Sequence, residues 1–168
     1  MTETEPKFIV KRMSEFPQKD IPRMLDEVVR VEKETWPEEI QAPREKFVAR
    51  AEIFPQGFLL ISLPNLGLVG VSTSEIIDYN PQDPPVSWEE TTDNGWIRKT
   101  HKQGGNALYG VSVGASPRAR GMGVGTQLVK EQIELARKMK LGYLVLGSRV
   151  PGYAAYHREY TEVSIEKY

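Results

Sequence analysis

Between positions 118 and 126 the chain carries residues whose types and spacing suit anion binding. Gly121, Gly123 and Gly125 directly follow the apolar run NALYGVSVGA and directly precede a helix-like pattern, with Arg118 and Arg120 alongside and Thr126 next in line. A strand that delivers the chain to three close glycines, with a helix starting at once, gathers backbone N–H groups and the positive helix end around one point. Glycine lets an anion approach the backbone closely, while the arginines add charge at the rim and Thr126 a hydroxyl. The chemistry this predicts is phosphate binding. A plain glycine-rich connection with solvated arginines is the alternative, since glycine's turn preferences also allow it.

Three phosphate-binding patterns compete for this stretch. The phosphate loop of nucleoside triphosphatases needs Lys and then Ser or Thr after its last glycine, but Thr126 and Gln127 follow Gly125. A dinucleotide fingerprint needs G-x-G-x-x-G and an acidic residue about twenty positions on. Here the run is G-x-G-x-G, and the next apolar strand ends in Gly147, Ser148 and Arg149. The third pattern fits: Arg120-Gly121-Met122-Gly123-Val124-Gly125 matches R/Q-x-x-G-x-G/A, and Val113-Gly114-Ala115-Ser116-Pro117 resembles the strand ending that precedes it. In both features the chain resembles the GNAT superfamily of acyl-CoA N-acyltransferases, most specifically from about Asn106 to Tyr160. The resemblance implies acetyl-CoA as co-substrate. Its pyrophosphate would sit on the amides of the signature, carried here by Arg120, Gly121, Met122, Gly123, Val124, Gly125 and Thr126, with Arg118 at the rim. The pantetheine arm would pair with the strand edge at Val113 and Ala115.

Attack of a neutral amine on a thioester needs a polarised carbonyl, a base for the amine proton and an acid for the thiolate. The resemblance implies a backbone N–H near Val113 for the carbonyl and a tyrosine of the last helix for the thiolate. RVPGYAAYHREY offers Tyr153, Tyr156 and Tyr160, of which Tyr156 stands best, seven residues after Arg149. Many relatives carry a Glu four residues before the small-residue triplet, where this chain has Tyr109. The base is then open between Glu75 in the preceding strand, His101 in a long loop, and a water relay. For the acceptor, Glu34, Glu38 and Glu39 beside Trp36, and Glu89, Glu90 and Asp93 beside Trp88 and Trp96, can hold a cationic amine by charge and cation–π contact. The expected partner is a small-molecule amine.

Positioning these residues takes an alternation of strands and helices. A strand is expected at about 8–13, then a helix capped by Asp20 with Pro22 in its first turn and a second helix over REKFVARAEIF. GFLLISL and LVGVSTSEII read as a hairpin joined by PNLG. Residues 80–105 are rich in Pro, Gly, Asp and Asn, and a connection of that length is usually functional. A strand at NALYGVSVGA, a helix at 126–140, a strand at YLVLGS and a final helix follow, which predicts one domain over 1–168 of α/β class. The resemblance makes it a mixed, mostly antiparallel sheet splayed between the signature strand and the next. It also implies two further strands after the last helix, whereas TEVSIEKY has room for one at most. A shortened sheet, a homodimer or a fragment of a longer protein would each account for this, and some relatives sit beside a carbon–nitrogen hydrolase domain.

Composition bounds the remaining functions. The 168 residues hold 22 Lys+Arg against 23 Asp+Glu, a net charge of -1, so neither nucleic acid nor an anionic membrane is an expected partner. No cysteine occurs, which removes thiolate nucleophiles and Cys-ligated metals, and two histidines make a metal site improbable on composition. With no export signal or apolar span in view, a cytoplasmic location is expected. The rival reading is an acyl-CoA sensor with little catalysis, prompted by Tyr109.

Overall fold

Five strands pair side by side in chain order, and the helices between them cover both faces. The computed structural model describes residues 7–147 and 153–164, with the side chains of 153–155 left aside. In chain order the elements are β1 (Ile9–Arg12), α1 (Ile21–Thr35), α2 (Arg44–Ile53), β2 (Leu59–Leu63), β3 (Gly67–Ile77) and α3 (Trp88–Thr92). After these come β4 (Ala107–Ala115), α4 (Val124–Lys138), β5 (Tyr143–Leu146) and α5 (Tyr153–Glu159). β1 to β4 are antiparallel neighbours, and β5 runs parallel to β4. This is the mixed, mostly antiparallel sheet expected.

Both faces of the sheet are apolar because helices cover both. On one, Leu25, Val28 and Val31 of α1 and Phe47 of α2 pack on Phe58, Leu60, Leu68 and Val71. On the other, Val124 and Leu128 of α4 meet Leu59, Ile61 and Val69, and further along Leu135 and Ala136 join Ile76 and Leu108. α1 keeps its expected start, with Pro22 in the first turn, but Asp20 makes no side-chain capping bond: it ends a 3-10 turn that runs directly into the helix. α4 begins two residues before the expected Thr126, because Gly123 takes up the left-handed entry (φ 78°) and frees Val124 and Gly125 to be helical. In the long connection Ser87 accepts a bond from the Glu90 amide and nucleates α3, a helical turn that the Pro and Gly content hid.

Two irregularities of β4 set up the site. Ser112 lies opposite Thr73 and Gly110 opposite Ser74, so Val111 is an extra residue and the strand bulges there. On its other edge β4 pairs with β5 only from Ala107 to Gly110 and then continues alone to Ala115. The sheet therefore opens between β4 and β5, as expected. Residues 161–164 form a turn and irregular chain, and Arg149 and the end of TEVSIEKY lie outside the described residues.

Candidate functional site

The glycine corner is open and unsatisfied. A cavity of about 380 Å³ is lined by Arg120, Gly121, Gly123, Val124, Gly125 and Thr126, with Ala115 and Thr35 on its sides. Gly121 and Gly123 hold φ of 79° and 78°, a region closed to most side chains, so the turn itself requires glycine there. Among the described residues no backbone carbonyl accepts a bond from the amides of Gly121, Gly123, Val124, Gly125 or Thr126. Five main-chain donors without a main-chain acceptor and a helix N-terminus thus lie around one open concavity, which suits a diphosphate.

From this corner the free edge of β4 leads toward the bulge. Ser116 N donates to Val69 O on β3, so by the two-residue alternation of a strand Ser112 and Gly114 also turn their backbone groups to β3. Val113 and Ala115 then present theirs to the open side. At the bulge the Trp88 indole, carried on α3, donates to Val111 O at 2.9 Å. The 80–105 connection is clamped over the sheet by this bond, by Arg50 Nε to Gly95 O at 2.7 Å, and by Lys102 N to Ile76 O at 2.8 Å. Positive φ at Asp93, Asn94, Gly95 and Ile97 bends the connection tightly below α3.

Glu75 sits beneath the clamp. It is directly opposite Tyr109 in the β3–β4 register, and it has no solvent exposure. Its Oε2 accepts from Thr100 Oγ1 at 2.7 Å, and among the described residues its Oε1 has no partner. Burial pushes its pKa up to about 7, with a small push from Asp93, against the Thr100 bond and the Arg50 charge that favour ionisation. Arg50, nearly fully buried, donates to Gly95 O and to the hydroxyls of Thr73 and Ser112 at 3.3 Å. Burial lowers its pKa to about 10, so it stays charged at neutral pH between Glu32 and Glu75. Tyr109 is raised, first by its own burial and then by Glu75 and Glu89, and remains a neutral phenol. A buried carboxyl with its pKa raised to about 7 thus stands across from Tyr109, two residues before β4 leaves β5, and a group so placed has the protonation behaviour of a general base.

Other expected residues fall elsewhere. Arg118 is tied to Glu34 and to the carbonyls of Leu66 and Leu68, so it clamps the end of β4 onto α1 and is not a lining residue of the corner. Glu34 is committed to the same clamp through Ser116 Oγ and Arg30. Met122 is exposed and lines nothing in the cavity, though its backbone belongs to the turn. His101 accepts from Ile76 N through Nδ1 and packs at a tilt against Phe54 (4.8 Å between centroids), with its pKa lowered by burial, so the ring is a neutral strut. Tyr156 is half-buried on α5 and stacks on Tyr160 at 4.7 Å. Trp96 lies under Lys46 and Arg98 of this same chain. Arg50 and Thr100 were not anticipated. Arg50 left a trace, as a charged residue on the apolar stripe of Phe47, Ala51 and Phe54. Thr100 left none, because its bond to Glu75 spans 25 residues.

Comparison with known proteins agrees with this geometry. The chain is 31% identical over 157 residues to the uncharacterized N-acetyltransferase YkwB of Bacillus subtilis (strain 168), covering 94% of this chain and 69% of YkwB. It is 29% identical to the probable hydrolase YhcX of the same organism, matching 96% of this chain but only 30% of YhcX. Among solved structures, the GNAT-like decarboxylase GphF in complex with isobutyryl-CoA aligns with a TM-score of 0.67 at 20% identity, over 95% of this chain and 73% of GphF. The model of the acetyltransferase (GNAT) family matches residues 22–160. With that match across most of its length, and the signature placed on an open strand-to-helix corner, the chain belongs to the acetyltransferase (GNAT) family.

Proposed function

We propose that the protein transfers an acetyl group from acetyl-CoA to a primary amine of a small molecule, by direct attack in a ternary complex. The observation that carries this is the set of five unsatisfied amides at residues 121–126, placed at the end of an open strand edge that leads to a buried carboxyl titrating near neutrality. The residues at the corner suit the diphosphate of coenzyme A: the amides of Gly121, Gly123, Val124, Gly125 and Thr126 donate to it, and the exposed Arg120 supplies charge. The backbone groups of Val113 and Ala115 pair with the amide-bearing pantetheine arm. This brings the thioester to the bulge, where a main-chain N–H polarises its carbonyl.

Glu75 takes the proton that the amine must lose. Its ordinary competitor on β4 is absent, because Tyr109 occupies that position, and the carboxyl stands instead directly across the ladder on β3. Tyr156 is assigned by motif position as the acid that returns a proton to the thiolate. No covalent enzyme intermediate is required, which suits a chain without cysteine.

Two measurements test this. Calorimetry with coenzyme A, on the parent protein and on Gly121→Ala, is expected to give binding that the substitution weakens. Thiol release from acetyl-CoA with a broad panel of primary amines is expected to show turnover with at least one. Binding without turnover on any amine would establish the sensor reading in its place.

A further inference from the structure

The side chain of Tyr109 runs along the sheet and crosses the point where it splits. Tyr109 pairs with Val145 on β5, and the last pair before the two strands part is Gly110 with Leu146. Its hydroxyl, however, stands 3.9 Å from where a Cβ on Gly147 would lie, two residues further along than Val145 and past that last pair. The phenol is thus aimed into the gap. It lies on the face of Glu75, its direct partner on β3, whereas the neighbouring Gly110 turns to the α4 face, where Leu146 and Gln132 stand in the space a side chain would take. Only 5% of Tyr109 is exposed, yet among the described residues its hydroxyl makes no hydrogen bond. Nor is that hydroxyl sealed: the side-chain atoms shut off from solvent without a partner are, among the described residues, Glu75 Oε1 and Gln132 Oε1. A tyrosine hydroxyl on a buried ring usually finds a partner, so an idle one at the mouth of the split is placed for a ligand atom.

We infer that Tyr109 is a catalytic residue, a side-chain donor to the carbonyl oxygen of the acyl thioester that works beside the main-chain N–H at the bulge. The inference rests on the acyl-CoA reading of the glycine corner and the open edge, because a carrier laid along Val113 and Ala115 reaches the bulge at Val111, two residues from Tyr109. As the amine nitrogen bonds to the carbonyl carbon, the C=O electron pair moves onto oxygen, and the O–H of Tyr109 holds the negative charge that forms there. When that pair returns, the carbon–sulfur bond breaks and the thiolate leaves. The amine proton goes to Glu75 and the thiolate takes its proton from Tyr156, so Tyr109 keeps its own throughout. Its surroundings favour this: burial first, then the charges of Glu75 and Glu89, raise the phenol and disfavour a phenolate. A donor that holds its proton is what an oxyanion needs.

Tyr109→Phe removes the hydroxyl alone and breaks no hydrogen bond among the described residues, so its thermal melt and its affinity for coenzyme A are expected to match those of the parent. Two readouts then follow the carbonyl itself. In infrared spectra of bound acetyl-CoA, isotopically labelled at the acetyl carbonyl, the stretching band is expected at higher wavenumber in Tyr109→Phe than in the parent, because a donor to the oxygen has been lost. This measurement needs no acceptor. Thiol release with an amine that the parent turns over is expected to lose about 10²-fold in kcat while KM for acetyl-CoA stays in place, the mark of a contact made mainly in the transition state. An unmoved band, or an unchanged kcat, would overturn the assignment and leave acetyl transfer standing. A moved band in a protein that turns over no amine would uphold the contact and remove acetyl transfer instead, and failure of the parent to bind coenzyme A would overturn both.

Discussion

Glu75 is a carboxyl with no water contact, set between the charge of Arg50 and the hydroxyl of Thr100. Its pKa of about 7 makes two quantities depend on pH. In catalysis the base must be ionised, so kcat/KM is expected to fall below about pH 7 and to level off above it. Glu75→Gln should remove that limb and lower kcat by about 10²-fold or more, read from a pH–rate profile of both proteins. Stability moves the opposite way. The folded carboxyl holds its proton more tightly than the unfolded one, so the group's favourable contribution is complete below the unfolded value of about 4.5 and is lost as pH rises through about 7. In urea melts between pH 5 and 8, Glu75→Gln should flatten this slope and exceed the parent at pH 8 by up to about 3 kcal/mol. An equal slope in both proteins would mean that Glu75 is not the titrating group.

The corner and the clamp hold the site at the scale of elements. Gly125 lies inside the first turn of α4, and a Cβ built on it meets nothing within 4 Å. Gly125→Ala should therefore stabilise the free protein by about 0.5–1 kcal/mol, the helix preference of Ala over Gly, while the added methyl stands at the cavity and weakens coenzyme A binding. A thermal melt without ligand and calorimetry with coenzyme A separate the two effects, and loss of both together would mean that the methyl disturbs the fold itself. Among the described residues α3 is hydrogen-bonded to the sheet through Trp88. Trp88→Phe keeps an aromatic ring but strands the Val111 carbonyl, for an expected cost of about 1–2 kcal/mol. Amide hydrogen exchange should then quicken across 87–105, because the indole bond is one of the few ties between that connection and the bulge.

Across the whole molecule, one sheet separates two jobs. In the proposed function α4 and the open edge of β4 form the carrier corner, whereas α2, α3 and the long connection enclose Glu75 and Arg50, the proposed proton-accepting side. β4 belongs to both, and its bulge is where they meet. Because a ligand that binds only the folded state raises its stability by mass action, coenzyme A at about 100 times its Kd should add about 2.7 kcal/mol. For a chain of this size that corresponds to a rise in Tm of about 5–10 °C. A melt at several coenzyme A concentrations checks the size and the logarithmic trend, and an unchanged Tm would count against a carrier site. No helix among the described residues is long and apolar enough to cross a membrane.

Local rules in the sequence were enough for the order of the strands and of every helix but α3, for the hairpin and for the glycine corner. Apolar periodicity, proline breaks and glycines at 121, 123 and 125 act over a few residues, and they already carried the family signature that the chain matches over 22–160. The role of each charged group was settled only in three dimensions. Arg118 and Glu34 look like binding residues in a linear reading but lie where they can satisfy each other. Glu75 looks like an ordinary strand carboxylate until α2 and the 80–105 connection close over it. A pKa and a buried hydrogen bond depend on what surrounds a side chain on every side, and here that surrounding is assembled from Arg50, Thr100 and Tyr109, each at least 25 residues away along the chain.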